Sequence, residues 1–246
     1  VCKILATIKC KNLTFSHIEA VLFDKNGTLE DSESYLRILG QKSARIIDSQ
    51  IPGIGEPLLM AFGIDGNHLD PAGLMSVASR QETEVAAAAY IAETGRGWFE
   101  CLKIARQALE EAEQYVKKTP SPLFVGSLEI LKSLSTAGLK LGILSAATTE
   151  DVKNFVTTHQ LRDYLQVEMG VDAGPSKPDP ALFLAACQAL GVAPSATLMV
   201  GDSVGDIQMA RHAKAAGCIG ITWISRADHV QGADVVINQF DEIQVS

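Results

Sequence analysis

The sequence predicts an α/β protein: an open parallel, Rossmann-like sheet flanked by helices, with an all-helical domain inserted into it. Three observations carry that expectation. From about residue 125 onward, short apolar runs (139–144, 166–171, 197–200, 218–221 and 234–237) alternate with amphipathic helical patterns. Strand and helix in alternation imply a parallel sheet covered on both faces. A further strand-like run, 18–23, comes much earlier and ends in the polar loop Asp24-Lys25-Asn26-Gly27-Thr28. Between about 33 and 118 the pattern is almost wholly helical, so residues 1–32 and 119–246 form the core domain and 33–118 an insertion.

Each element has its own signal. Asp179-Pro180 reads as a helix start, with Gly191 closing that helix. Thr149-Glu150-Asp151 places acids in a first turn, where they suit the helix dipole. Gly138 and Gly217 are read as C-terminal stops. Within the insertion, 81–94 and 95–118 are rich in Ala, Leu and Glu, whereas 51–72 carries Gly and Pro and reads as loop with short helices. The Pro-bearing link Thr119-Pro120-Ser121-Pro122 returns the chain to the sheet, and linkers near 29–33 and 118–123 permit a lid that opens and closes. The first 17 residues are expected to add an edge strand or hairpin.

Composition narrows the function classes. The chain has 246 residues, 47% hydrophobic and 20% charged, enough to bury a core and too apolar for disorder. Its 29 acidic residues exceed its 21 basic ones, a net charge of -8 that argues against nonspecific nucleic-acid binding. Five cysteines (Cys2, Cys10, Cys101, Cys187, Cys218) without a CxxC pair make neither a disulfide framework nor a zinc site. No apolar run approaches the ~18 residues of a membrane span. The N-terminal segment shows no signal-peptide pattern, so a cytoplasmic protein with no membrane partner is expected.

In an open parallel sheet, ligands bind beyond the carboxyl ends of the strands. The polar residues there are Asp24 after the first run, Ser145 after 139–144, Lys177 in the loop after 166–171, and Asp202, Ser203 and Asp206 after 197–200. Carboxylates are hard oxygen ligands suited to Mg²⁺, and Asp206 stands one helical turn beyond Asp202. Lys177 and Ser145 are donors able to hold phosphate oxygens. Without a cation, three neighbouring carboxylates repel one another; with one, a carboxylate can attack phosphorus.

These residues fall into four motifs: Phe23-Asp24-Lys25-Asn26-Gly27-Thr28-Leu29; Leu144-Ser145; Lys177-Pro178-Asp179-Pro180; and Val200-Gly201-Asp202-Ser203-Val204-Gly205-Asp206. In that order they resemble the haloacid dehalogenase superfamily of hydrolases over about 18–237, and the insertion is similar to its helical C1 cap, as in phosphoglycolate phosphatase-like members. The resemblance implies a Mg²⁺-dependent phosphatase acting on a small phosphorylated metabolite; a monomer or homodimer is expected. It implies Asp24 as nucleophile, forming an aspartyl-phosphate. Asp24, the backbone carbonyl of Asn26, Asp202 and Asp206 would make the metal site, with Asp206 also orienting Lys177. Ser145, Ala146 and Lys177 would bind the phosphoryl group, with Thr28 supporting the loop.

One position departs from the pattern. Where the family's phosphatases carry a second Asp as general acid/base, this chain has Asn26. An amide neither protonates a leaving oxygen nor activates water, a loss typically worth ~10²–10⁴ in rate. Asn26 could be an introduced substitution that traps a complex, a native residue in an enzyme for good leaving groups, or the mark of a weakly active or noncatalytic relative. Asn26-Gly27 is also a deamidation-prone pair.

Plainer readings stand beside these. Asp24, Asn26 and Gly27 could form only a turn, Ser145 could cap the helix after it, Lys177 could be a solvated loop lysine, and Asp202 and Asp206 could be helix-start acids. The five histidines show no ligand spacing. Trp98 and Phe99 read as packing residues, and Arg80 and Arg96 as a solvated face. Among rival activities, a metal-free dehalogenase is disfavoured by the pair Asp202 and Asp206, which would repel a carboxylate substrate. A phosphonatase mechanism lacks its lysine in 51–66. A phosphate-binding or regulatory module silenced by Asn26 is the non-enzymatic rival.

Overall fold

The structure is a computed structural model that describes residues 5–116, 120–223 and 228–246. Cys2, Lys117, Lys118 and Thr119 lie outside the described residues. The chain divides into two compact units, one running to Asp31 and resuming over Pro122–Ser246, the other Ser32–Ser121.

In chain order the first unit begins with β1 (Ala6–Cys10), β2 (Leu13–Ile18) and β3 (Ala20–Phe23). The second unit follows: α1 (Glu33–Gln50), α2 (Gly55–Phe62), β4 (Ile64–Asp65), β5 (His68–Leu69), α3 (Leu74–Val77), α4 (Arg80–Ala92) and α5 (Trp98–Val116). The first unit resumes with α6 (Ser127–Thr136), β6 (Lys140–Leu144), α7 (Thr149–Thr158), β7 (Val167–Met169) and α8 (Ala181–Leu190). It ends with β8 (Thr197–Gly201), α9 (Val204–His212), β9 (Gly217–Ile221), β10 (Val235–Ile237) and β11 (Ile243–Val245).

The main sheet has six parallel strands in the order β10-β9-β8-β3-β6-β7. Its strands read as continuous apolar runs because both faces are buried. β3 shows this best: Val21 and Phe23 pack into a layer with Ile130, Leu134 and Val156 from α6 and α7. Ala20 and Leu22 face the opposite layer, with Phe183 and Leu190 from α8 and Met209 from α9. Each of these side chains larger than alanine contributes about 1.5–3 kcal/mol on burial. At the β3 position the chain order reverses, β6 lying on one side and β8 on the other. That is where a crevice opens beyond the strand ends.

The N-terminal segment is a hairpin, but it does not edge the main sheet. β1 and β2 pair antiparallel, and β1 pairs with β11 in a separate three-stranded sheet. The reason lies in the pattern: Ile8, Cys10, Phe15 and Ile18 are buried while Lys9, Leu13, Thr14, Ser16 and His17 are exposed. One dry face and one wet face suit an antiparallel sheet.

Gly217 also differs from its reading as a helix stop. α9 ends at His212, and Lys214 takes the left-handed turn with φ 58°. Gly217 instead opens β9, where a Cβ would overlap the Phe15 ring. Asp179 is not the cap residue itself; its Oδ1 accepts from Ala181 N at 2.8 Å, and Pro180 holds the cap position of α8.

The inserted unit is built on α1, α4 and α5 around Ile47, Leu58, Phe62, Ile91, Cys101 and Ala105. Its helices are joined by one element not read from the sequence, the two-stranded ribbon β4-β5, so the unit is helical without being all-helical. The turn Asp65-Gly66-Asn67-His68 makes the ribbon, with Gly66 at φ 56° and Ile64 opposite Leu69, both buried. Arg80 bonds to Glu84 at 2.9 Å and to Glu113, and Arg96 stands 3.7 Å from Glu100. Phe99 is 85% exposed rather than packed. The unit therefore has its own core and its own ion pairs.

Candidate active site

The parallel register brings the site together. Phe23 pairs with Ile143 on one side and Val200 on the other. Chain leaving β3, β6 and β8 therefore emerges at the same level, delivering Asp24, Ser145 and Asp202 to one edge. Asp24 N donates to Val200 O at 2.9 Å, which fixes the first residue of the loop. The loop then closes on itself: Gly27 N donates to Glu30 O at 2.9 Å and Leu29 N to Lys25 O at 3.0 Å. Gly27 has φ 76°, and a Cβ there would overlap the Asp202 carboxylate. Only glycine meets both demands.

The acidic residues converge. Asp24, Asp202 and Asp206 each offer a carboxylate oxygen, and these atoms lie within 4.8 Å of one another, the one such cluster among the described residues. Asp202 follows β8, and its Oδ1 accepts from Thr28 Oγ1 at 3.2 Å. Thr28 is fully buried, so its hydroxyl serves the acidic cluster. Asp206 sits in the first turn of α9 and completes a capping box: its Oδ2 accepts from Ser203 N at 3.2 Å, while its own N–H donates to Ser203 Oγ at 3.2 Å; Oδ2 also accepts from Ser203 Oγ at 2.6 Å. It is thus a helix-start acid and a member of the cluster together. Gly201 is needed beside it, since a Cβ there would overlap the Asp206 carboxylate.

Lys177 is no solvated loop residue. Its side chain is 4% exposed and its ammonium lies 2.5 Å from Asp24 Oδ1 and 2.6 Å from Asp206 Oδ1. Three carboxylates thus face one ammonium. Burial pushes Asp24 up to about 6, the Lys177 charge pulling against the rise and Asp206 adding to it. Asp202 is held well above the usual carboxylate range, first by burial and then by the Asp24 and Asp206 charges. Burial alone would lower Lys177, but the Asp206 and Asp24 carboxylates outweigh it and hold the ammonium above its usual value. The group lacks positive charge, not donors alone.

A divalent cation fits this donor set. Asp206 Oδ1 is buried and, although Lys177 Nζ is near, no donor is aligned on it. All three side chains offer hard oxygens. Ser145 is buried at the end of β6, its Oγ accepting from Ala147 N at 3.2 Å, with Ala146 beside it. The cap of α7 is Thr148, not Ser145: Thr148 Oγ1 accepts from Asp151 N.

Three residues here, Lys25, its partner Glu30 and Trp223, do not stand out in the sequence. Lys25 is buried, donates to Asn26 Oδ1 and pairs with Glu30 at 2.6 Å. Trp223, two residues past β9, donates its indole N–H to Gly27 O at 2.9 Å while stacked on Phe124 at 4.2 Å. The rule of looking just past each strand reaches Trp223 as well, but an uncharged indole gives no signal under it.

A parallel sheet with this switch point and an acid-lysine cluster at its carboxyl edge defines a class of hydrolase. The sequence matches the haloacid dehalogenase-like hydrolases over residues 18–214, and the chain belongs to that family. Within it the chain is phosphoglycolate phosphatase-like. It is 29% identical over 222 residues to the phosphoglycolate phosphatase of Neisseria gonorrhoeae, covering 85% of this chain and 81% of that one. It is 31% identical over 135 residues to the probable phosphatase IndB of Dickeya dadantii, covering 53% of this chain and 58% of that one. The fold is shared with a Haemophilus somnus protein described as a predicted phosphoglycolate phosphatase, at TM-score 0.70 and 20% identity, covering 90% of this chain and 94% of that one. An Entamoeba histolytica HAD hydrolase of family IA aligns at TM-score 0.66 and 21% identity, covering 92% and 96%. No helix among the described residues is long and apolar enough to cross a membrane.

Proposed function

We propose that the protein is a Mg²⁺-dependent phosphatase that hydrolyses a small phosphorylated metabolite through an aspartyl-phosphate on Asp24. The observation that carries this reading is the contact of Lys177 with both Asp24 and Asp206 beside Asp202, in a family of hydrolases with phosphatase-named relatives. Asp24, Asp202, Asp206 and the backbone carbonyl of Asn26 would hold the cation, which when bound masks phosphate charge and stabilises the pentavalent transition state. Lys177, Ser145 and the Ala146 backbone would hold the phosphoryl oxygens.

The chain's own residues then account for the step. An Asp24 carboxylate oxygen bonds to phosphorus as the bond to the leaving oxygen breaks, and water later attacks the acyl phosphate to release phosphate and restore Asp24. Lys177 keeps Asp24 in contact with a positive charge throughout. Asn26 supplies no proton to the leaving oxygen and takes none from water. Turnover therefore favours acyl phosphates, aryl phosphates and phosphoanhydrides over alkyl phosphates, since the former leave as stable anions.

The test is a paired screen with Mg²⁺ on this sequence and on Asn26→Asp, using substrates from all these classes. The expected result is turnover of good leaving groups by the native chain and a gain of about 10²–10⁴ on alkyl phosphates in Asn26→Asp. Silence in both favours the second reading, a phosphate-binding module, which Asn26 itself supports. Equal turnover of every class by the native chain contradicts the leaving-group assignment.

A further inference from the structure

The side chain of Lys25 has a role that the acidic cluster does not use. It is 7% exposed and points to Asn26, donating to its Oδ1, with Glu30 Oε2 at 2.6 Å and the Phe155 ring centroid at 5.5 Å. An ammonium has donors only. The Asn26 atom it touches is therefore the carbonyl oxygen, and the end turned away from Lys25 is the NH₂ group. Among the described residues no protein acceptor takes either Nδ2 hydrogen. Glu30, itself close to fully buried at 12% side-chain exposure, anchors the ammonium in turn. Glu30 is held by two pairings of its backbone, with Asn26 and with Leu123.

We infer that Lys25 is a positioning residue that locks the Asn26 amide with its carbonyl inward, so that this position offers a ligand two N–H donors and no acceptor. The inference rests on the phosphatase reading above and deepens it. A donor-only group beside the nucleophile stabilises negative charge as it grows on a departing oxygen, although it transfers no proton. The substrate class that benefits is one whose leaving oxygen departs as an anion and accepts hydrogen bonds: an acyl phosphate, an aryl phosphate or a phosphoanhydride. The Lys25 ammonium, held by Glu30 and capped by an aromatic face, is fixed in place, so a flipped amide would set oxygen against the leaving group's lone pairs only if Lys25 were removed.

The experiment compares the full chain with Lys25→Arg, Lys25→Met and Lys25→Met/Glu30→Gln, the last relieving the carboxylate that Lys25→Met leaves unpaired. With a series of aryl phosphates and Mg²⁺, kcat/KM, which reports the step in which the leaving oxygen departs, is expected to fall on the order of 10–100-fold in both Met variants. The loss should grow as the leaving group becomes poorer, and Lys25→Arg should restore most of the rate. A merely structural role would lower all substrates alike and would not be rescued by Arg. Independently of turnover, the Asn26 side-chain amide resonance in ¹⁵N-labelled protein should move in both Met variants and return in Lys25→Arg. Unchanged kcat/KM in the Met variants, or a loss uniform across the series, overturns the inference while leaving the phosphatase reading intact. If no variant turns over any phosphate, the phosphatase reading fails, and the amide resonance alone decides whether Lys25 holds Asn26; a resonance indifferent to Lys25 overturns that contact too.

Discussion

The Asp202 carboxylate occupies the space in which residue 27 would carry its Cβ. The two residues are 175 positions apart in sequence yet share one van der Waals boundary, because β8 and β3 are neighbours in register. Any side chain at 27 must displace the Asp202 carboxylate and must also adopt φ 76°, which costs an L-residue roughly 1–2 kcal/mol. Gly27→Ala is expected to lower thermal stability and to weaken Mg²⁺ binding, read by calorimetry, by at least tenfold. A variant that binds Mg²⁺ as the native chain does would separate Asp202 from the cation site.

Trp223 secures the same loop from the other side. Trp223→Phe keeps a ring against Phe124 and Phe240 but removes the donor to Gly27 O. The lost hydrogen bond should cost about 1 kcal/mol, and a chain of this size shifts Tm by about 2–4 °C per kcal/mol. An unchanged Tm in thermal denaturation would show that the loop holds its shape without the indole.

The fold was legible in the sequence where burial is symmetric. β3, β6, β8 and β9 carry side chains buried on both faces, so each printed itself as an unbroken apolar run, and their common carboxyl edge followed from alternation with helices. β11 is three residues long and was not read at all, because its partner β1 is far away in sequence and the pairing is nonlocal. Gly217 was read as a helix stop since a glycine after a helix has that meaning locally; its actual reason, the Phe15 ring, comes from another strand. Among the candidate site residues, Asp24, Ser145, Lys177, Asp202 and Asp206 are legible because charged or hydroxyl residues past a strand stand out. Lys25 and Trp223 were missed because what they do depends on which neighbour they face, and only coordinates carry that.

The metal-free cluster predicts an inverted pH dependence. Asp24 is raised from an ordinary 3.8 to about 6, so the folded state binds more protons than the unfolded state between those values. Its contribution to stability is therefore fully present below 3.8 and lost as pH rises through about 6, and Asp202 acts with the same sign. In the presence of a chelator, Asp24→Asn should be more stable than the native chain at pH 7 and should lose that advantage near pH 4. The difference should be on the order of 1–3 kcal/mol. Urea melts at the two pH values measure it; a variant less stable at pH 7 than the native chain would reverse the sign assigned to burial.

The Asn26-Gly27 pair should resist deamidation while folded. Succinimide formation needs the Gly27 nitrogen free to attack the Asn26 side-chain carbonyl, but Gly27 N–H is bonded to Glu30 O and the carbonyl oxygen is held by Lys25. Intact mass should stay constant during native incubation at pH 8 and drift upward in denaturant. Equal drift in both conditions would show that the loop does not hold these groups.

The central claim is that Asp24 takes a phosphoryl group. With Asn26 unable to activate water, the aspartyl-phosphate should form faster than it is hydrolysed when the donor is an acyl phosphate. The direct measurement is intact-mass and peptide mapping after mixing the native chain with acetyl phosphate and Mg²⁺. One phosphoryl group is expected on Asp24, absent in Asp24→Asn, and decaying faster in Asn26→Asp. A native chain that turns over acetyl phosphate with no phosphoryl group ever found on Asp24, or with the group on another residue, would contradict the account.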